Sequence, residues 1–116
     1  MPIAAKFELR KLLLNNGVCP FDEWFDTLER DDQFMIDNRL LRVRLGSFGD
    51  INYVGEGVWE LKFHKGRALR LYYVQSGRQV ILLISAGDKR SQKNNIKKAK
   101  ELFAAYKSGE LSDAKY

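Results

Sequence analysis

The sequence predicts an α+β fold whose elements run β, α, α, β, β, β, α, and three observations carry that prediction. Apolar residues recur with a helical period twice in the first half, at Phe21, Trp24, Phe25 and Leu28 and again at Met35, Ile36, Leu40 and Val43, a set that Phe34 can extend. Three β-rich runs, 58–63, 69–75 and 80–86, follow, joined by turns short enough for antiparallel hairpins. A last helical period closes the chain, with Ile96, Ala99, Phe103 and Tyr106 on one face. At 116 residues, 45% hydrophobic and 30% charged, the composition is that of one globular domain spanning 1–116 and not of a disordered chain.

Taken in order, 6–13 alternates loosely and stops at Asn15-Asn16-Gly17, a turn signal, which makes it a first strand. Pro20 opens a short helix, because its missing N–H is no loss in a first turn, and Asp22, Glu23 and Asp26 lie near the positive helix start. Asp31 or Asp32 caps the second helix, which keeps its period until Gly46 stops it. Four glycines within 46–57 punctuate the chain too often for a regular element, so a loop is expected there. Lys65-Gly66 and Ser76-Gly77 turn a three-stranded meander. Ser91 caps the last helix, 92–107, whose Lys93, Lys97, Lys98 and Lys100 lie mostly off the apolar face. From Gly109 onward the chain is expected to fray.

The net charge of +5 conceals a division: 1–61 hold 7 Lys/Arg against 11 Asp/Glu, whereas 62–107 hold 12 Lys/Arg against only Asp88 and Glu101. So basic a segment attracts polyanions, nucleic acid first, since each neutralised phosphate releases counterions. A solvated basic face or an acidic protein partner accounts for the charge equally well. A lone Cys19 excludes an internal disulfide, no Cys/His cluster stands ready for zinc, and neither metal nor other cofactor is expected. No apolar run nears the roughly 20 residues of a bilayer span. The opening MPIAAKFELRK lacks the basic-then-apolar order of a signal peptide, so a cytoplasmic location without membrane contact is expected.

Side chains alternate across a strand, which puts Trp59, Leu61 and Phe63 on one face and Glu60, Lys62 and His64 on the other. With the apolar set toward the helices, Glu60, Lys62, His64, Arg70 and Tyr72 gather on an open face of the meander. Asp88, Lys89 and Arg90 then lead into a helix start whose free N–H groups favour anions. A carboxylate, several cations, an imidazole and a phenol together suit metal-free RNA cleavage: a 2′-OH loses a proton, the phosphorane takes cationic stabilisation and the 5′-oxygen gains a proton. Glu60 would be the base, Arg70 and Lys89 the phosphate clamps, and Lys62 or His64 the acid. Lys65, Arg67, Tyr72, Arg90 and Lys93 would hold RNA, Tyr72 by stacking. The same residues also fit a plainer arrangement, cross-strand ion pairs on a solvated sheet worth about 0.2–1 kcal/mol each, with His64 a turn residue.

Arg44-Leu45-Gly46-Ser47-Phe48-Gly49-Asp50, Gly55-Glu56-Gly57-Val58-Trp59-Glu60-Leu61 and Leu82-Leu83-Ile84-Ser85-Ala86-Gly87-Asp88-Lys89, with Gln92 behind the last, form an ordered set of blocks. Arg70-Leu71-Tyr72-Tyr73 lies among them and Ile96-Lys97-Lys98-Ala99-Lys100 follows. In order and spacing, from about 21 to 107, this set resembles the RelE/ParE superfamily of toxins from type II toxin–antitoxin pairs, most closely its HigB-like addiction-module killer branch. The resemblance implies a RelE-like fold: a curved antiparallel sheet with two N-terminal helices on one face and a C-terminal helix. It also implies cleavage of mRNA on the ribosome and silencing by a helix-turn-helix antitoxin. It matches Arg70 to the strand arginine that contacts phosphate, Lys89 to the lysine of the branch's Gly-Asp-Lys, and Glu60 to the glutamate of its Trp/Ser-Glu-Leu strand. The chain departs from the branch at Lys65-Gly66-Arg67-Ala68-Leu69-Arg70, where Gly-Pro-Gly-Tyr-Arg is usual, and at His64, where an acid or another polar residue is common. The ParE arm implies another class, a non-enzymatic inhibitor of DNA gyrase, and a toxin fold kept only for binding is a third. A carboxylate among phosphate-facing cations favours the nuclease.

Overall fold

Every strand of the middle of the chain carries apolar residues at both parities, which is the pattern of a sheet covered on two sides rather than one. The computed structural model, which describes residues 5–116, has that architecture. Residues 1–4, the head of the stretch read for a signal peptide, lie outside the described residues. The elements are β1 (Glu8–Leu13), α1 (Pro20–Asp26), α2 (Arg30–Arg44), β2 (Ile51–Gly55), β3 (Val58–Lys62), β4 (Arg70–Gln75), β5 (Val80–Gly87), a 3₁₀ turn (Lys89–Ser91), α3 (Gln92–Lys107) and β6 (Ser112–Lys115). The strands form one curved, mostly antiparallel sheet in the order β2-β3-β4-β5-β1-β6. Among the described residues only β1 and β5 pair in parallel.

On one face α1 and α2 bury Phe21, Ile36, Leu40 and Val43 against Leu9, Leu61, Leu71, Tyr73 and Leu83. On the other, α3 lays Ala99 and Leu102 over Leu12, Val58, Tyr72, Val74, Leu82 and Ile84. The α+β class, the helical pair on one face and the C-terminal helix agree with the sequence reading. Among the described residues no helix is long and apolar enough to cross a membrane.

Two stretches differ from expectation. Within 46–57 the chain forms β2, paired with β3. The connecting Glu56 and Gly57 have φ of 54° and 83°, the left-handed pair that a two-residue hairpin turn requires. There the glycines serve turn geometry and not a loop. The tail does not fray either: β6 pairs antiparallel with β1, and Asp113 accepts hydrogen bonds from Arg10 and Tyr106. Asp31 and Asp32 lie inside the first turn of α2, where they complement the helix dipole, and Glu29 holds the cap position without a side-chain bond. Ser91 likewise makes no side-chain cap; Asp88 instead accepts from the Arg90 and Ser91 amides at 3.0 and 3.3 Å and caps the 3₁₀ turn.

Candidate functional site

Antiparallel register sets Glu60 of β3 beside Tyr72 of β4, and Tyr72 beside Ser85 of β5. Ile84 is an extra residue in β5 opposite the Tyr72–Tyr73 step and shifts the ladder there, between Leu83 and Ser85. Two residues before Tyr72, Arg70 lies between Lys62 and Gly87 in the same ladders. The start of α3 covers this row. Glu60 is wholly buried, and its Oε2 accepts from the Tyr72 hydroxyl at 2.8 Å and from Gln92 Nε2 at 2.9 Å. Arg70 Nε stands 3.6 Å from the same oxygen, and Arg70 Nη1 donates to the Ala68 carbonyl at 2.6 Å. Burial, and then the bond to Glu60, push the Tyr72 phenol far up from its usual pKa, so it stays a donor at any ordinary pH. Glu60 Oε1, Arg70 Nε and Ser85 Oγ are buried without a hydrogen-bond partner among the described residues.

The face expected to be open is therefore closed. Val74, Leu82 and Ile84 continue it as an apolar surface, which α3 must cover. Glu60 does not reach solvent where it is seated, and Tyr72 presents no ring to a base. Arg70, 7% exposed, keeps only a small accessible surface. His64 engages Asp50 at the start of β2 and lines a cleft with Met35, Arg39 and Arg42, so it does not join the Glu60 group. That bond is the main cause holding the Asp50 carboxyl below its usual pKa. Lys62 is half-buried, in register with Arg70 but lining the same cleft as His64, and Lys89, Arg90 and Lys93 are exposed on the 3₁₀ turn and the first turn of α3. Lys65 and Arg67 are exposed and face α2 across a second cleft.

Two residues assigned no role from sequence prove central. Gln92 ties α3 to the buried carboxylate, and nothing in a helix-start glutamine announces such a contact. Arg39 lies toward the core side of α2 and donates to the carbonyls of Phe48, Lys62 and Asp50 at 2.8, 2.9 and 2.9 Å. It thereby fixes the end of β3 against the entry to β2, with its guanidinium 4.9 Å from the Phe63 ring centre. Its signal was a cation between the core positions Ile36, Leu40 and Val43. Gly87 marks where α3 meets β5, since a Cβ there would fall 1.8 Å from Asn95 Nδ2.

Residues 23–105 match the family described as Phage derived protein Gp49-like (DUF891). The chain belongs to the Gp49-like family. This family falls within the toxin–antitoxin toxins of the RelE/HigB-like superfamily, which implies an antitoxin partner. An uncharacterized protein of Haemophilus influenzae is 35% identical over 83 residues, covering 71% of this chain and 84% of that protein. No solved structure matches the chain. The Gp49-like match runs from α1 to the last turns of α3, so it includes the Glu60–Arg70–Gln92 group and leaves β1 and β6 outside.

Proposed function

We propose that this Gp49-like chain is the toxin of a toxin–antitoxin pair and stops translation by cutting mRNA on the ribosome, using side-chain cations in place of a metal. The observation that supports this best is the pairing of Arg70 with Glu60 beneath α3, whose start and preceding 3₁₀ turn form a rim carrying the exposed Lys89, Arg90 and Lys93. A guanidinium that is nearly dry and already oriented stabilises developing phosphorane charge more than one in water, because no solvent must reorganise. Arg70 is thus the phosphate clamp and Lys89 the second cation. Lys62, in register with Arg70, is our choice for the ammonium that protonates the leaving 5′-oxygen, while the attacking 2′-OH gives up its proton to solvent water. Glu60 acts through Arg70: fully buried and held by Tyr72 and Gln92, it is a positioning residue and not the base of the sequence reading.

Controlled expression in a bacterium, followed by mapping of mRNA 5′ ends, tests the proposal. Cleavage with 5′-hydroxyl and 2′,3′-cyclic phosphate ends, persisting when EDTA is added to ribosomes stabilised by polyamines, is the expected result. Ends bearing 5′-phosphate point to a water nucleophile and overturn the mechanism. The burial of Glu60 and Tyr72 favours one other reading, a toxin that binds its target through the basic rim without cutting. Intact mRNA together with inhibited gyrase supercoiling would establish it.

A further inference from the structure

Helix α2 is apolar on two opposite sides. Ile36, Leu40 and Val43 face the sheet, while Phe34, Leu41 and the cap residue Leu45 point outward at 68, 54 and 38% exposure. Steps of 7 and 4 residues keep these three within one narrow stripe. Alongside it runs the cleft between α2 and the loop carrying Lys65 and Arg67. Arg42, Lys65 and Arg67 line that cleft together with Glu29, Asp31 and Asp32, and none of the six forms an ion pair among the described residues. An apolar stripe flanked by unneutralised charges of both signs is the anatomy of a protein interface.

We infer that this stripe and cleft form the docking groove for an amphipathic helix of the antitoxin, one whose acidic side chains meet Arg42, Lys65 and Arg67 and whose basic ones meet Glu29, Asp31 and Asp32. RNA does not fit, because three carboxylates and exposed Phe34 and Leu41 repel or waste a phosphate backbone. A second copy fits poorly too. Arg30, Asp37 and Arg44 recur every 7 residues along the other flank of the stripe. Pairing α2 antiparallel with itself sets this flank against its own copy, bringing Arg30 near the other copy's Arg44 and Asp37 near its own equivalent. The complementary helix therefore belongs to a different protein, and the toxin–antitoxin reading, on which this step rests, supplies one. Such docking lies on the α2 side of the sheet, opposite the side that α3 covers.

Calorimetric titration of the full chain with the product of the adjacent gene tests the groove. Leu41→Asp and Phe34→Asp, both exposed and checked for native circular dichroism and unchanged melting, are each expected to weaken binding about 30-fold or more. Arg42→Glu is expected to slow association about 10-fold at low salt, while Lys97→Glu on α3 changes affinity less than about threefold. Full affinity in Leu41→Asp and Phe34→Asp overturns the groove and leaves the antitoxin reading intact. Absence of binding by the wild-type chain removes that reading and the proposed occupant together. A concentration-dependent dimer in sedimentation, abolished by Leu41→Asp, assigns the stripe to a second copy and equally overturns the inference.

Discussion

Arg70 and Glu60 share a site that water scarcely reaches, so their separate removal has unequal consequences for charge. Arg70→Ala leaves a buried carboxylate with two neutral donors and no cation, and breaking a buried pair from one side typically costs about 3–5 kcal/mol. The variant is expected to lose toxicity and also stability, seen as a lower urea midpoint. Glu60→Gln placed in the Arg70→Ala background should recover part of the stability and none of the toxicity. If the double variant is no more stable than Arg70→Ala, the uncompensated charge is not the cause. His64 carries a different expectation. Because its bond to Asp50 lowers that carboxyl's pKa in the folded chain, the stabilisation is present above the unfolded value of about 3.9 and is lost as pH falls through the depressed one. In His64→Gln, NMR titration should find the Asp50 pKa raised toward that ordinary value, while the pH profile of mRNA cleavage stays that of the parent. A changed cleavage profile would return His64 to the reaction.

At the scale of elements, the contact between α3 and the sheet decides whether the site exists at all. Asn95 Nδ2 donates to Ser91 Oγ at 2.7 Å in the space that any side chain on Gly87 would occupy. Gly87→Ala must therefore swing the Asn95 side chain aside and lose that bond, a cost of about 1 kcal/mol by the usual net worth of a hydrogen bond. Adding Gly87→Ala to Asn95→Ala should cost clearly less than Gly87→Ala alone, a non-additivity that denaturation of the four proteins measures. Equal costs would mean that backbone, and not Asn95, resists the methyl. The helix starts also show what the sequence could express. Pro20 announces α1 through chemistry confined to its own residue, whereas Asp88 caps a 3₁₀ turn ahead of the expected start at Ser91, because capping depends on a backbone path that local composition leaves open.

For the whole molecule, the strands of the meander were legible because Val58, Leu71 and Val80 stand in β-rich runs bounded by turns, but the layer covering each face was not. Trp59, Leu61 and Phe63 identify a core face, and nothing local told whether Glu60 and Tyr72 on the reverse side met water or α3. The apolar parity of Val74, Leu82 and Ile84 held that answer, and only packing of all three runs together makes it visible. The same holds for β6, a short polar segment whose strand character comes from its neighbour. β1 has β5 on one side and would be an open edge without β6 on the other. Ser112–Lys115 closes that edge through the ladder with β1 and through the Arg10 and Tyr106 bonds to Asp113, while Tyr116 reaches Asp37 of α2 at 2.9 Å and packs on Phe21. Removal of 112–116 is therefore expected to lower unfolding free energy by about 3 kcal/mol, the sum of several such bonds and an aromatic contact. It should also expose β1, whose free N–H and C=O groups then pair between chains. Sedimentation velocity should show concentration-dependent association that the full chain lacks, and urea denaturation a lower midpoint; a truncated chain that stays monomeric with an unchanged midpoint would show that β6 only rests on the sheet.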